Sequence, residues 1–292
     1  MSRDITWFWL GLAIPHHLDL NFHLSDFITG EDDQAISPWS QMVAEQAPRI
    51  SRIQFTGSMA QLVTFATHFG SFPNLHDLSI YTLPQDKHGE ILMDEARSFK
   101  HTVNVHSLTI QIPLFDPEWT AQHPLFMIPL PWNNLSECHT TLPSVSVFLH
   151  IILWASALMK LTVTFRCDFD EHHPSFGITS RPNICQLSIS TIGDCPVVAM
   201  QSLRLPGLVN LNLDGHDWSI TSSFMVIKSW QCIALHELEL EVKSIPENIN
   251  QQLQHLPSTL LNLEILTGEQ DNGNSRLITA LSSNTSLLPN LT

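Results

Sequence analysis

Residues 72–80 read FPNLHDLSI, and the same cadence returns as RPNICQLSI at 181–189, LPGLVNLNL at 205–213 and ALHELELEV at 234–242. In each, an apolar residue is followed three positions later by a second, and two positions after that by a third. A step of two is the period of a β-strand. The second and third apolar side chains therefore share one face, and the residues between them take the other.

Aligned along the chain, the triplets are Ile50/Ile53/Phe55, Leu75/Leu78/Ile80, Val105/Leu108/Ile110, Leu158/Leu161/Val163, Ile184/Leu187/Ile189, Leu208/Leu211/Leu213, Leu235/Leu238/Leu240 and Leu260/Leu263/Ile265. Leu135 opens a further, degenerate copy. First positions are separated by 25, 30, 30, 23, 26, 24, 27 and 25 residues, close to the period of leucine-rich repeats. An independent signal agrees: Pro48, Pro73, Pro182 and Pro206 stand two residues before a triplet, and Pro257 three before. Proline cannot continue a helix and biases its predecessor toward extended backbone, so it marks where one element stops and the strand follows.

Segments between triplets carry helical periodicity. SMAQLVTFATHF (58–69) sets Met59, Leu62, Val63, Ala66 and Phe69 on one stripe, and SSFMVIKSW (222–230) does the same with Phe224, Ile227 and Trp230. VFLHIILWASAL (147–158) and SRLITALSSN (275–284) read alike. One strand–helix unit cannot cover its own apolar face, whereas stacked units bury a continuous column of leucines. The expected fold is α/β, a leucine-rich-repeat solenoid or horseshoe, with a curved parallel sheet on the concave face and helices on the convex one. It would form a single irregular domain over 1–292 with about nine or ten repeats.

Composition narrows the function. The chain has 292 residues, 43% of them apolar, and a net charge of −15. That is ample for a core, and it argues against nucleic acid or an anionic membrane as partner and toward a basic protein. Five cysteines, without a CxxC, point to a reducing compartment, cytoplasmic or nuclear. The apolar run ITWFWLGLAI at 5–14 is too short to span a bilayer.

Together with PWSQMVAEQAPRISRIQF (38–55), LPWNNLSEC (130–138) and the opening ITWFWLGLAIPHHLDLNFHL (5–24), this pattern resembles the leucine-rich-repeat region of F-box proteins from mushroom-forming fungi. The resemblance covers roughly residues 5–291 and implies the substrate-recognition repeats of an SCF-type ubiquitin ligase. No F-box is found, so a Skp1-type adaptor is expected as a partner only if one is encoded upstream. The chain reads as starting inside the array, and LLPNLT at its end reads as the opening of another repeat. The asparagine or cysteine expected three residues after the third apolar position is also missing, with Leu83, Pro113, Arg166, Ile192, His216, Lys243 and Gly268 there instead. No asparagine ladder is therefore expected.

Chemistry is sparse. RCDFDEHHP (166–174) gathers Asp168, Asp170, Glu171, His172 and His173, but adjacent histidines on a loop rarely address one ion and no HExxH spacing is present, so a solvated loop is the better reading. EQDNGNSRL (269–277) lacks the bidentate glutamate of a calcium loop. Sixteen histidines are dispersed over the repeats, and there is no nucleophile elbow, phosphate-binding glycine loop or dinucleotide fingerprint. No enzyme activity, metal or cofactor is expected; the alternative to a substrate receptor is a stand-alone scaffold or inhibitor with the same fold, and the remote one a metal-dependent enzyme using the cluster from Asp168 to His173. Trp7, Trp9, Trp39, Trp132, Trp154, Trp218 and Trp230 are expected mainly in the core.

Alternation supplies the candidate site. If Leu238 and Leu240 point inward, Glu237, Glu239 and Glu241 point outward, with Asp214 on the preceding strand and Glu264 on the following one: an acidic patch suited to a Lys- or Arg-rich protein. Asp77, Ser79 and Tyr81 belong to the same candidate partner-binding face, and with Ser107, Thr109 and Gln111, then Gln186, Ser188 and Ser190, would make its earlier strands polar and neutral.

Overall fold

A computed structural model of the chain describes residues 17–23, 43, 45–57, 71–82, 102–111, 130–142, 145–165, 177–192, 197–215, 218–267, 277–279, 281–282 and 288–291. It divides into two compact units, Met1–Leu135 and Ser136–Thr292.

The first unit carries β1 (Leu18–His23), β2 (Ile50–Gly57), β3 (Asp77–Thr82) and β4 (Ser107–Gln111), paired in parallel in chain order. The second carries β5 (Glu137–Leu142), β6 (Lys160–Phe165), β7 (Thr179–Ser180), β8 (Gln186–Thr191), β9 (Leu203–Arg204), β10 (Asn210–Asp214), β11 (Glu237–Val242) and β12 (Asn262–Thr267). Its main parallel ladder runs β5-β6-β8-β10-β11-β12, and β7 pairs with β9 separately. The expected α/β class and large parallel sheet are present. β1 was missed as a triplet because a register shift between Leu18 and Asp19 breaks the three-residue step.

Register follows the triplets. Leu161, Leu187, Leu211 and Leu238 are Cα partners in succession, as are Val163, Ile189, Leu213 and Leu240. None of these eight side chains is more than 2% exposed, and in β6, β8 and β10 buried residues alternate with half-buried ones. In the first unit Ile53, Leu78 and Leu108 form the equivalent row. On β12 the same positions, Leu263 and Ile265, are only half-buried.

Five strands, β3, β4, β6, β10 and β12, are entered through the same tight turn. Leu75 N–H donates to Phe72 O, Val105 to Thr102, Leu158 to Ala155, Leu208 to Leu205 and Leu260 to Pro257. Pro73 and Pro206 occupy the second position of such turns, where the ring pre-sets φ. After the turn, one carbonyl accepts from two consecutive amides of the next repeat: Met159 O from Cys185 and Gln186, Cys185 O from Val209 and Asn210, Val209 O from His236 and Glu237. Two residues facing one is the geometry of a bulge, and here it opens each successive strand.

The absence of an asparagine ladder is overturned. Asn74 donates its side-chain amide to Pro48 O at 2.6 Å, Asn104 to Pro73 O at 2.5 Å, Asn134 to Val103 O at 2.6 Å, Asn183 to Ser156 O at 3.1 Å and Asn290 to Ser258 O at 2.9 Å. Every donor stands one residue before its own triplet, and every acceptor two residues before the preceding one. The ladder sits in the turn leading into the strand, on the opposite side of the strand from the position expected. At Gly207, which takes the donor's place in its repeat, an added Cβ would lie 1.9 Å from Pro182 O. The backbone itself closes up where a side chain bridges elsewhere.

Among the described residues helices are few: α1 (Val145–Trp154), α2 (Val197–Met200), α3 (Ile220–Trp230) and α4 (Ile249–Gln252). The predicted stripe of α3 is realised, with Phe224, Ile227 and Trp230 buried. Ser219 and Ser222 cap its start reciprocally, and Gln231 ends it in the left-handed conformation at φ 55°. α1 buries Val147, Phe148, Leu149, Ile151 and Ile152, and Phe148 meets Phe165 edge-on at 5.7 Å. Its C-terminal carbonyls are held by Arg181, through Nε to Ile152 O at 2.7 Å and Nη2 to Leu153 O at 2.8 Å. Residues 277–279 and 281–282 are helical as the pattern of 275–284 predicts, with Ile278 67% exposed. The helix expected at 58–69 lies outside the described residues.

Trp218 and Trp230 are core residues, and Trp230 Nε1 donates to Met200 O at 2.7 Å. Trp154 departs from the expectation: it is 39% exposed and packs edge-on against His150. Trp7, Trp9 and Trp39 lie outside the described residues. No helix among the described residues is long and apolar enough to cross a membrane.

Candidate functional site

In-register strands turn sequence alternation into rows on the outward face. One row of the second unit reads Glu137, Lys160, Gln186, Asn210, Glu237, Asn262, and the next His139, Thr162, Ser188, Asn212, Glu239, Glu264. A groove of about 730 Å³ lies along these rows from Lys160 and Thr162 on β6 to Asn262 and Glu264 on β12.

Three of the predicted acidic residues, Glu237, Glu239 and Glu264, line the groove. The acidic patch is more dilute than alternation on one strand suggested. Glu237 lies between Asn210 and Asn262, and only Glu239 and Glu264 are cross-strand carboxylate neighbours. Asn212 Nδ2 donates to Glu239 Oε2 at 2.9 Å. Glu241 is half-buried with Leu266 as its Cα partner, and Asp214 accepts from Ser190 Oγ at 3.2 Å on β8. Neither of these two lines the groove.

Asp77, Ser79 and Tyr81 lie on β3 of the first unit, each half-buried and alternating with the buried Leu78 and Ile80. This face is not simply neutral. Arg52 on β2 reaches Asp77 on one side at 3.1 Å and Asp19 on the other at 3.5 Å, so one guanidinium joins carboxylates from both flanking strands. Its hydrogen bonds to Asp77, with the nearby charge of Asp19, hold it above its ordinary pKa. Lys160 is raised in the same way by Glu137, 2.8 Å away. Sequence reading passed over Arg52 and Lys160, although both occupy the position one residue before the second apolar member of a triplet, as Asp77 and Glu237 do.

His76 and His106 stack on successive repeats with ring centroids 5.9 Å apart, and each Nδ1 lies within 3.3 Å of a backbone carbonyl, of Asn104 and Asn134 respectively. These are exposed histidines with backbone partners. The clusters at 166–174 and 269–276 lie outside the described residues, and among the described residues no group of histidine, cysteine and carboxylate side chains is arranged to hold a metal.

Compared with known proteins, the chain matches no family model, and no curated protein matches it significantly.

Proposed function

We propose that this chain is a protein-interaction module, a leucine-rich-repeat solenoid whose polar sheet face receives a protein ligand. The observation that carries it is the groove in the second unit, where five in-register strands present amide, hydroxyl and carboxylate side chains over a buried leucine layer. A face so built offers hydrogen-bonding groups at regular spacing and, with no convergent acid, base and nucleophile on it, suits recognition better than catalysis. The horseshoe curvature and an outer helical layer belong to this proposal. So does the role implied by the resemblance, presentation of a protein substrate to an SCF-type ubiquitin ligase, with proximity as the whole mechanism.

The test is affinity capture of the tagged gene product from its own cells, wild type against the triple variant Glu237→Lys, Glu239→Lys, Glu264→Lys. A protein retained by the wild type and lost by a variant with unchanged circular dichroism supports the groove as the binding face. An identical partner set for both removes it. A co-purifying Skp1-type adaptor supports the ubiquitin-ligase role, and its absence favours a stand-alone scaffold or inhibitor with the same fold.

A further inference from the structure

The two outward faces treat their carboxylates differently. On the first unit, Arg52 lies between Asp19 and Asp77 and bonds to both. On the second, Glu137 at the start of the ladder is met by Lys160. At the far end of the same groove, Glu237, Glu239 and Glu264 have no Lys, Arg or His within ion-pair distance among the described residues, and only Glu239 takes a side-chain donor, Asn212. Glu239 and Glu264 are partners on adjacent strands, so their side chains emerge roughly 5 Å apart. Carboxylates so placed repel unless a cation lies between them.

Between Lys160 at the β6 end, already paired with Glu137, and these carboxylates, the polar lining is neutral: Thr162, Gln186, Ser188, Asn210 and Asn212. Side-chain amides both donate and accept, which is what an extended polypeptide backbone requires of a surface it crosses. Five strands spaced roughly 4.8 Å apart give a track of about 19 Å, the length of about six extended residues. The groove therefore offers a neutral track that ends in an unfilled cation position.

We infer that the groove takes an extended polypeptide segment of about six residues crossing the strands, with an arginine at its β11–β12 end bonded to both Glu239 and Glu264; Arg52 shows the same two-carboxylate chemistry from the strand that lies between Asp19 and Asp77. This rests on the protein-binding reading above and names the chemistry of the partner. Arginine is favoured over lysine because a planar guanidinium presents several donors at once and can join two carboxylates, whereas an ammonium acts as a compact point charge.

The experiment uses the purified chain and a fluorescein-labelled positional library of hexapeptides, each sublibrary fixing one residue at one position. Binding is read by fluorescence polarisation at low and at physiological salt. The expected result is selection of arginine at one end position. In the best peptide, arginine→citrulline should weaken binding at least tenfold and arginine→lysine several-fold. Glu239→Gln and Glu264→Gln should each reproduce the citrulline loss, while Glu247→Gln, exposed and outside the groove, leaves binding unchanged. Because Glu→Gln preserves size, a matching thermal melt shows that the fold survives. Peptides that bind without arginine preference, and are weakened by Asn212→Ala but not by Glu264→Gln, would overturn the arginine seat and leave the protein-binding reading standing. If no sublibrary binds, both fall.

Discussion

The side-chain amide of Asn104 donates to the carbonyl of Pro73 at 2.5 Å, joining the turn that opens one repeat to the turn that opens the repeat before it. Asn74 does the same to Pro48, and Asn134 to Val103. Side-chain bonds at a fixed repeat position lock the offset between neighbouring turns, and through it the register of the strands that follow.

Asn104→Ala should therefore destabilise the first unit by about 1 kcal/mol for the lost hydrogen bond, read as a lower urea midpoint. Asn74→Ala should behave alike, and the double variant should fall further than either single one. A midpoint unchanged in both single variants would show the bonds to be incidental.

Gly207 and Gly177 form a matched pair within the second unit. A Cβ at Gly207 would sit 1.9 Å from Pro182 O, while at Gly177 nothing lies within 4 Å. Gly207→Ala must force two turns apart and should cost about 3 kcal/mol or more, in the range of severe overpacking. Gly177→Ala should be close to neutral in the same thermal melt.

Leu211 is 2% exposed in the middle of the leucine row, whereas its partner two strands on, Leu263, is half-buried. Leu211→Ala should destabilise by about 2–5 kcal/mol through lost burial and the cavity left behind, and Leu263→Ala by about 1 kcal/mol. Equal losses in denaturant titrations would contradict the ordering of the sheet.

Burial pushes the Cys138 and Cys232 thiols up to about 12 from an ordinary value of 9. Both should resist alkylation in the native protein at neutral pH, in contrast to the partly exposed Cys185. Their folded values lie above the unfolded ones, so the unfolded chain loses these protons first as pH rises. The stability that the neutral thiols contribute is intact below about pH 9 and lost progressively as pH rises from about 9 to about 12. Replacing both by alanine or serine should flatten this part of the pH–stability curve, apart from the shared contribution of other titrating groups.

Much of the fold was legible because the triplet is a local pattern with a local cause. Alternation places Leu78, Leu187 and Leu238 inward whatever surrounds them, and Pro73 or Pro206 sets its turn through its own ring. β1 was harder to read because a register shift replaces the three-residue step there. The asparagine ladder is not legible in the sequence because Asn74, Asn104 and Asn183 stand before their triplets, not three residues after the third apolar position where the ladder is expected. Their partners, Pro48, Pro73 and Ser156, lie 26 to 31 residues away in the chain.

The candidate site divides along the same line. Sequence alone determined which side chains leave the sheet on its polar face, since a strand's period of two admits no other assignment once the leucines are buried. Only the tertiary structure decided which of them become neighbours. It put Arg52 between two aspartates, diluted the acidic patch with Asn210, Asn212 and Asn262, and brought Glu239 beside Glu264. The physical reason is that a residue's face is fixed by its own backbone, whereas its company across strands is fixed by hydrogen-bonded register between segments some 25 residues apart in sequence.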